Sequence, residues 1–145
     1  MNENFLAAYR PQLLSLFRFM TGLLLFQFGV AKLLKFPAGT MFEKAELMSL
    51  VGAAGTLELF VGGLLMVGLF TRFAAFILAG EMAFAYFMSH APRSFYPMLN
   101  GGNAAILFCF VFLYLWVAGG GEWSLDRLLR RGTTSASGAT AGRAA

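Results

Sequence analysis

The segment GAAGTLELFVGGLLMVGLFTRFAAFILAGEMAFAYFMSHA, from Gly52 to Ala91, is two long apolar runs joined at Thr71 and Arg72. Each run carries one carboxylate far from its ends, Glu58 in the first and Glu81 in the second. A hydrocarbon core of about 30 Å is crossed by a helix of about 20 apolar residues. A closed barrel would need short segments of alternating character, which these runs are not. A carboxylate in such a helix is costly unless it is protonated or paired, so both acids require a partner.

Composition extends this reading to the whole chain. Its 145 residues are 59% hydrophobic and only 12% charged, against about 45–50% and about 25% in soluble domains. The expected fold is an all-α integral membrane bundle of four transmembrane helices, with no room for a soluble domain. The net charge of +4 comes from basic residues at segment ends and in the tail, where they set orientation and do not call for nucleic acid. The single cysteine, Cys109, can form no disulfide within the chain.

In order, a polar lead reaches Pro11, which suits the first turn of a helix. The first span covers about 13–34; it is too long for a signal-peptide core, no small-x-small site follows it, and it is read as retained. Arg18, Gly22, Gly29 and Lys32 share one side of it, and Gln27 lies on the other. Pro37 and Gly39 break the helix in a first loop. The second span covers about 47–70 and places Gly55, Glu58 and Gly62 on one face. The third covers about 72–90 and the fourth about 103–118, separated by a loop in which Phe95 and Tyr96 suit a membrane interface. Trp123, Leu125, Leu128 and Leu129 against Arg127, Arg130 and Arg131 form a short C-terminal amphipathic segment. Residues 1–131 are thus one membrane domain, and 132–145 read as a disordered tail. The basic residues Arg10, Arg72, Arg127, Arg130, Arg131 and Arg143 outweigh Lys35, Lys44 and Arg93, which places both termini in the cytoplasm.

At 1.5 Å per residue, Glu58 and Glu81 fall within about one helical turn of depth, with Arg18 about 6 Å below Glu81. The expectation is a central cluster of Arg18, Glu58 and Glu81 that shares charge and a proton. Intramembrane ion pairs also lock helices together, but ionisable residues in spans mark functional sites by default. Lys32 and Arg72 read as snorkelling or topology anchors, His90 as an interfacial polar residue and Cys109 as a packed hydrophobe. One His and one Cys cannot hold a bis-His haem or an iron–sulfur cluster, and no metal-ligand set has helical spacing. Redox chemistry here would run through a diffusible quinone or a partner protein.

The ordered motifs are Arg18; Gly29-x-x-Lys32; Gly55-x-x-Glu58 with Gly62-Gly63; Gly68-Leu69-x-Thr71-Arg72; Asn100-Gly101-Gly102; and Gly120-x-x-x-Ser124-Leu125-Asp126. Over about residues 13–131 the chain resembles the DoxX family of small four-helix membrane proteins, named for a subunit of a thiosulfate:quinone oxidoreductase. The resemblance implies a four-helix bundle and a link to membrane redox metabolism. The family usually has a Glu at or next to the position of Asn103, which cannot ionise, and Glu81 is an added acid. The expectation is therefore an inner-membrane subunit, bacterial or archaeal, of a quinone-linked oxidoreductase. Arg18, Glu58 and Glu81 would act on protons, and Arg18, Glu58, Lys32 and Asn103 would hold the quinone head group. Two alternatives stand beside it. One is a non-catalytic scaffold that recruits a soluble redox enzyme on the cytoplasmic side through residues 122–131. The other is a small proton-coupled carrier, for which the glycine faces would permit a homodimer.

Overall fold

The computed structural model describes residues 3–131. All regular structure among them is helical. After α1 (Glu3–Ala8) come α2 (Arg10–Leu34), α3 (Leu50–Val67) and α4 (Thr71–Ala85), which runs on into a π turn (Tyr86–His90). A single turn, α5 (Pro97–Asn100), precedes α6 (Asn103–Ala118), and residues 125–131 form a last short helix, α7. Three helices, Arg10–Leu34, Leu50–Val67 and Thr71–His90, are long and apolar enough to cross a membrane. α6 is as apolar but has 16 residues.

The helix ends follow their local chemistry. Pro11 sits in the first turn of α2, where its missing N–H costs nothing. α3 begins three residues later than the apolar run, because Ser49 accepts a hydrogen bond from the Gly52 N–H and caps it. It ends at Gly68, φ +74°, in the left-handed conformation that closes helices at glycine. Lys35 finishes α2 with its own ammonium, which donates to the carbonyls of Lys32 (2.9 Å), Phe42 (2.9 Å) and Ala45 (2.5 Å).

Packing is by pairs: α2 lies on α3, α4 lies on α6, and the pairs join chiefly along α3 and α4. The α2–α3 contact is made by glycine faces in antiparallel register. A Cβ on Gly29 would stand 2.4 Å from the Leu59 nitrogen, and one on Gly22 would stand 2.7 Å from that of Met66. From the other side, Gly55 lies under the Lys32 side chain and Gly62 under Leu25 and Phe26. Backbone meets backbone, as small residues allow where no hydrophobic force drives helices together in lipid. The apolar centre, Leu25, Leu65, Leu78, Met82, Phe112 and Leu115, is flanked by the small Ala74, Ala75 and Ala79 of α4. Large aromatic side chains such as Phe60, Phe73, Phe76 and Phe110 instead point outward, so the outer surface is greasy and the interior carries the polar groups.

Gly29→Ala should therefore force α2 and α3 apart and cost about 1–3 kcal/mol. Gly80→Ala, at a helical position where a Cβ meets nothing within 4 Å, should instead stabilise by up to about 1 kcal/mol. Thermal unfolding of the two purified variants in one detergent checks this, and shifts of the same sign would contradict the packing.

Candidate functional site

Close approach of α2 and α3 decides what Lys32 and Glu58 can do. Each stands three residues after a glycine of the contact, Gly29 and Gly55, and therefore on the same helix face as that glycine. The Lys32 ammonium donates to Glu58 Oε1 at 2.6 Å, and the two side chains are only 11% and 4% exposed. The aromatic ring of Phe42, from the first loop, lies 5.2 Å from the ammonium and covers it. The loop that Lys35 pins down thus supplies the roof of the pair.

Glu81 enters from α4. Its residue is 9% exposed, and the charges of both Glu58 and Lys32 reach it. Among the described residues, neither Glu81 oxygen has a hydrogen-bond partner, and the second oxygen of Glu58 also lacks one. Buried polar atoms are nearly always satisfied, so three orphan carboxylate oxygens in one neighbourhood point to a partner from outside the chain or to a proton the acids themselves carry. Chemically, the trio offers one fixed cation, one carboxylate bound on one side only, and one carboxyl with both oxygens unengaged.

Arg18 does not join this cluster, which corrects the expected Arg18–Glu58–Glu81 centre. It is 2% exposed, and its guanidinium donates to four carbonyls, those of Leu65 (2.6 Å), Met66 (2.5 Å), Gly120 (2.8 Å) and Trp123 (2.8 Å). The first two belong to the last turn of α3, whose carbonyls carry the negative end of the helix dipole; that of Leu65 also accepts the Gly68 N–H at 3.1 Å. Each Arg18 nitrogen is thereby engaged at the end of the helices that carries the N-terminus of α2, away from Lys32. The carboxylate whose charge Arg18 feels is Asp126.

Asp126 completes a polar knot at that end. Its oxygens accept the N–H groups of Phe70 (2.7 Å) and Thr71 (2.8 Å), and so cap α4 from the far end of the chain. The Asp126 N–H in turn donates to the Gly68 carbonyl at 2.9 Å. Phe70 has φ +50° and no cap of its own. Gly68 has no room for a side chain, since a Cβ there would meet Ser124 at 2.7 Å and the Arg18 guanidinium carbon at 2.9 Å. The motifs around Gly68–Arg72 and Gly120–Asp126, distant in sequence, thus form one fastening.

The other singled-out residues are placed as follows. Asn103 opens α6 with its side chain exposed. Gln27 is exposed on the outer face of α2. The His90 ring nitrogen Nδ1 lies 2.9 Å from the Asn100 carbonyl oxygen. Asn100 itself is 2% exposed and organises the loop before α6, donating to the Ser94 carbonyl and accepting from the Gly102 N–H. Cys109 packs against the apolar centre. The tail from 132 to 145 lies outside the described residues.

The sequence model of a family described as DoxX matches residues 13–91. An uncharacterized protein of Haemophilus influenzae is 41% identical over 129 residues, which is 85% of this chain and 95% of that protein. No solved structure matches the chain.

If Lys32 and Glu58 are a buried pair, removing one partner leaves the other charge uncompensated. Lys32→Met and Glu58→Met should each cost about 3–5 kcal/mol, and the double variant should cost less than either. Unfolding midpoints of all three in one detergent check this; a double variant that loses the sum of both singles would contradict the pairing.

Proposed function

The chain belongs to the DoxX family and is a membrane protein of that family, and from that premise we propose that it is the membrane subunit of a quinone-linked oxidoreductase whose head-group site is formed by Lys32, Glu58 and Glu81. The single observation behind this reading is Glu81, buried, with both oxygens unengaged among the described residues and within reach of the charges of a bound ion pair. A quinone head group brings carbonyl oxygens that accept hydrogen bonds and, once reduced, hydroxyls that donate them. The orphan oxygens of Glu81 and Glu58 suit the donors, and the Lys32 ammonium suits the acceptors. The quinone supplies two-electron chemistry with uptake of two protons, and the electrons come from a partner protein.

The chain's own residues then have distinct tasks. Lys32 orients the carbonyl and keeps Glu58 in place. Glu81 holds and passes a proton at its carboxyl. Phe42 and the apolar wall exclude bulk water, which strengthens each polar contact inside. Arg18 serves this reading only by fastening α2 to the end of α3.

The same reading has α6 as a fourth crossing of the cell's inner membrane. Its 16 residues span about 24 Å, and a helix this short is accommodated by local thinning of the bilayer. Both termini then lie in the cytoplasm, with the arginine-rich end.

Glu81→Gln keeps shape and volume and removes the ionisable proton. Membranes containing this variant, at matched protein level, should reduce quinone slower by on the order of a hundredfold. An unchanged rate in a working assay would remove the reading and leave the chain as a scaffold for a soluble redox enzyme.

A further inference from the structure

The opposite end of the helices carries a second feature that the acid site does not use. The first turn of α2, the α3–α4 turn, the end of α6 and α7 enclose a cleft of about 790 Å³. Four arginines line it: Arg10, Arg72, Arg127 and Arg130. The acid in its lining, Asp126, is already engaged by the N–H groups of Phe70 and Thr71. Arg127 pairs with Glu122 at the rim. Among the described residues, neither Arg10 nor Arg72 has a carboxylate within ion-pairing distance. Arg72 reaches across from α4 to the end of α6, where a side chain at position 119 would begin 3.6 Å from its Nε; glycine there, at φ +85°, leaves the space open. Phe73 and Tyr114 form an exposed aromatic wall beside the guanidinium groups.

We infer that this cleft binds the phosphate of an anionic phospholipid, with Arg10 and Arg72 on the phosphate and the acyl chains along Phe73 and Tyr114. Guanidinium groups recognise phosphate oxygens in fixed, paired geometry. A soluble phosphate compound would satisfy the arginines but leave the aromatic wall without a partner; a lipid satisfies both. Basic pockets between helices at the cytoplasmic surface are where anionic head groups are held. A topology signal alone needs positive charge on one side of the membrane, and does not need the charges to converge on one cavity. The inference is independent of the acid site and stands whether or not quinone binds there.

The test is native mass spectrometry of the full-length protein in detergent, titrated with phosphatidylglycerol, with phosphatidylcholine of the same acyl chains, or with inorganic phosphate. Wild type should retain phosphatidylglycerol in preference to phosphatidylcholine, and inorganic phosphate should not displace it. Arg10 and Arg72 are exposed, so replacing them removes no buried partner. Arg10→Gln and Arg72→Gln should each weaken phosphatidylglycerol retention roughly fivefold, and the double variant about thirtyfold. Arg93→Gln, in the loop at the other end, should leave it unchanged. Equal retention of both lipids, a preference that survives the double variant, or a loss equally large in Arg93→Gln would overturn the inference. Displacement of the lipid by inorganic phosphate would assign the cleft to a soluble anion instead.

Discussion

The ion pair between Lys32 and Glu58 exists because two helix backbones touch. A lysine near a helix end would ordinarily extend toward water. Here Gly29 and Gly55 bring α2 and α3 so close that the Lys32 side chain lies over Gly55 and its ammonium meets Glu58 before it can reach the surface. The contact then works in both directions. The glycines permit the pair, and the pair gives two otherwise smooth apolar helices a single register, which is the best-attested use of a buried ionic group. Glu81 on the neighbouring α4 joins a field that already contains one positive and one negative charge.

The two ends of the molecule divide the labour. At one end, Arg18 and Asp126 bind backbone groups at the helix termini: carbonyls at the end of α3, N–H groups at the start of α4. Each Arg18 nitrogen and both Asp126 oxygens are bonded there, while among the described residues the buried Thr71 hydroxyl has no partner; the result is a fastening among α2, the α3–α4 turn and the segment after α6. Toward the other end, carboxylate oxygens are left without partners among the described residues. A satisfied polar network stiffens a structure, whereas an unsatisfied one has capacity to bind. That difference, and not the mere presence of charge, separates a structural cluster from a candidate site.

Much of this was legible in the sequence. Apolar run length predicted helices at the observed places, and glycine spacing marked one face of the first span and one of the second, which the structure brings together. The partner of Glu58 was not legible in the same way. Arg18 lies at a depth compatible with the acids, but its partners are main-chain carbonyls, which every residue possesses and no motif marks. Lys32 looked like an anchor because it stands at a span end. The late start of α3, set by the Ser49 cap, brings Glu58 nearer that end than the apolar run suggested. The matching offsets in Gly29-x-x-Lys32 and Gly55-x-x-Glu58 were the available signal. Asn103 opens α6 with an exposed side chain.

Experimental density for the purified protein in lipid tests the account most directly. It should place the Lys32 ammonium on Glu58 beneath Phe42, with a non-protein polar molecule or ordered water on the carboxyl of Glu81. A map in which Lys32 extends into the head-group layer and Glu81 faces acyl chains, with nothing polar beside it, would contradict it.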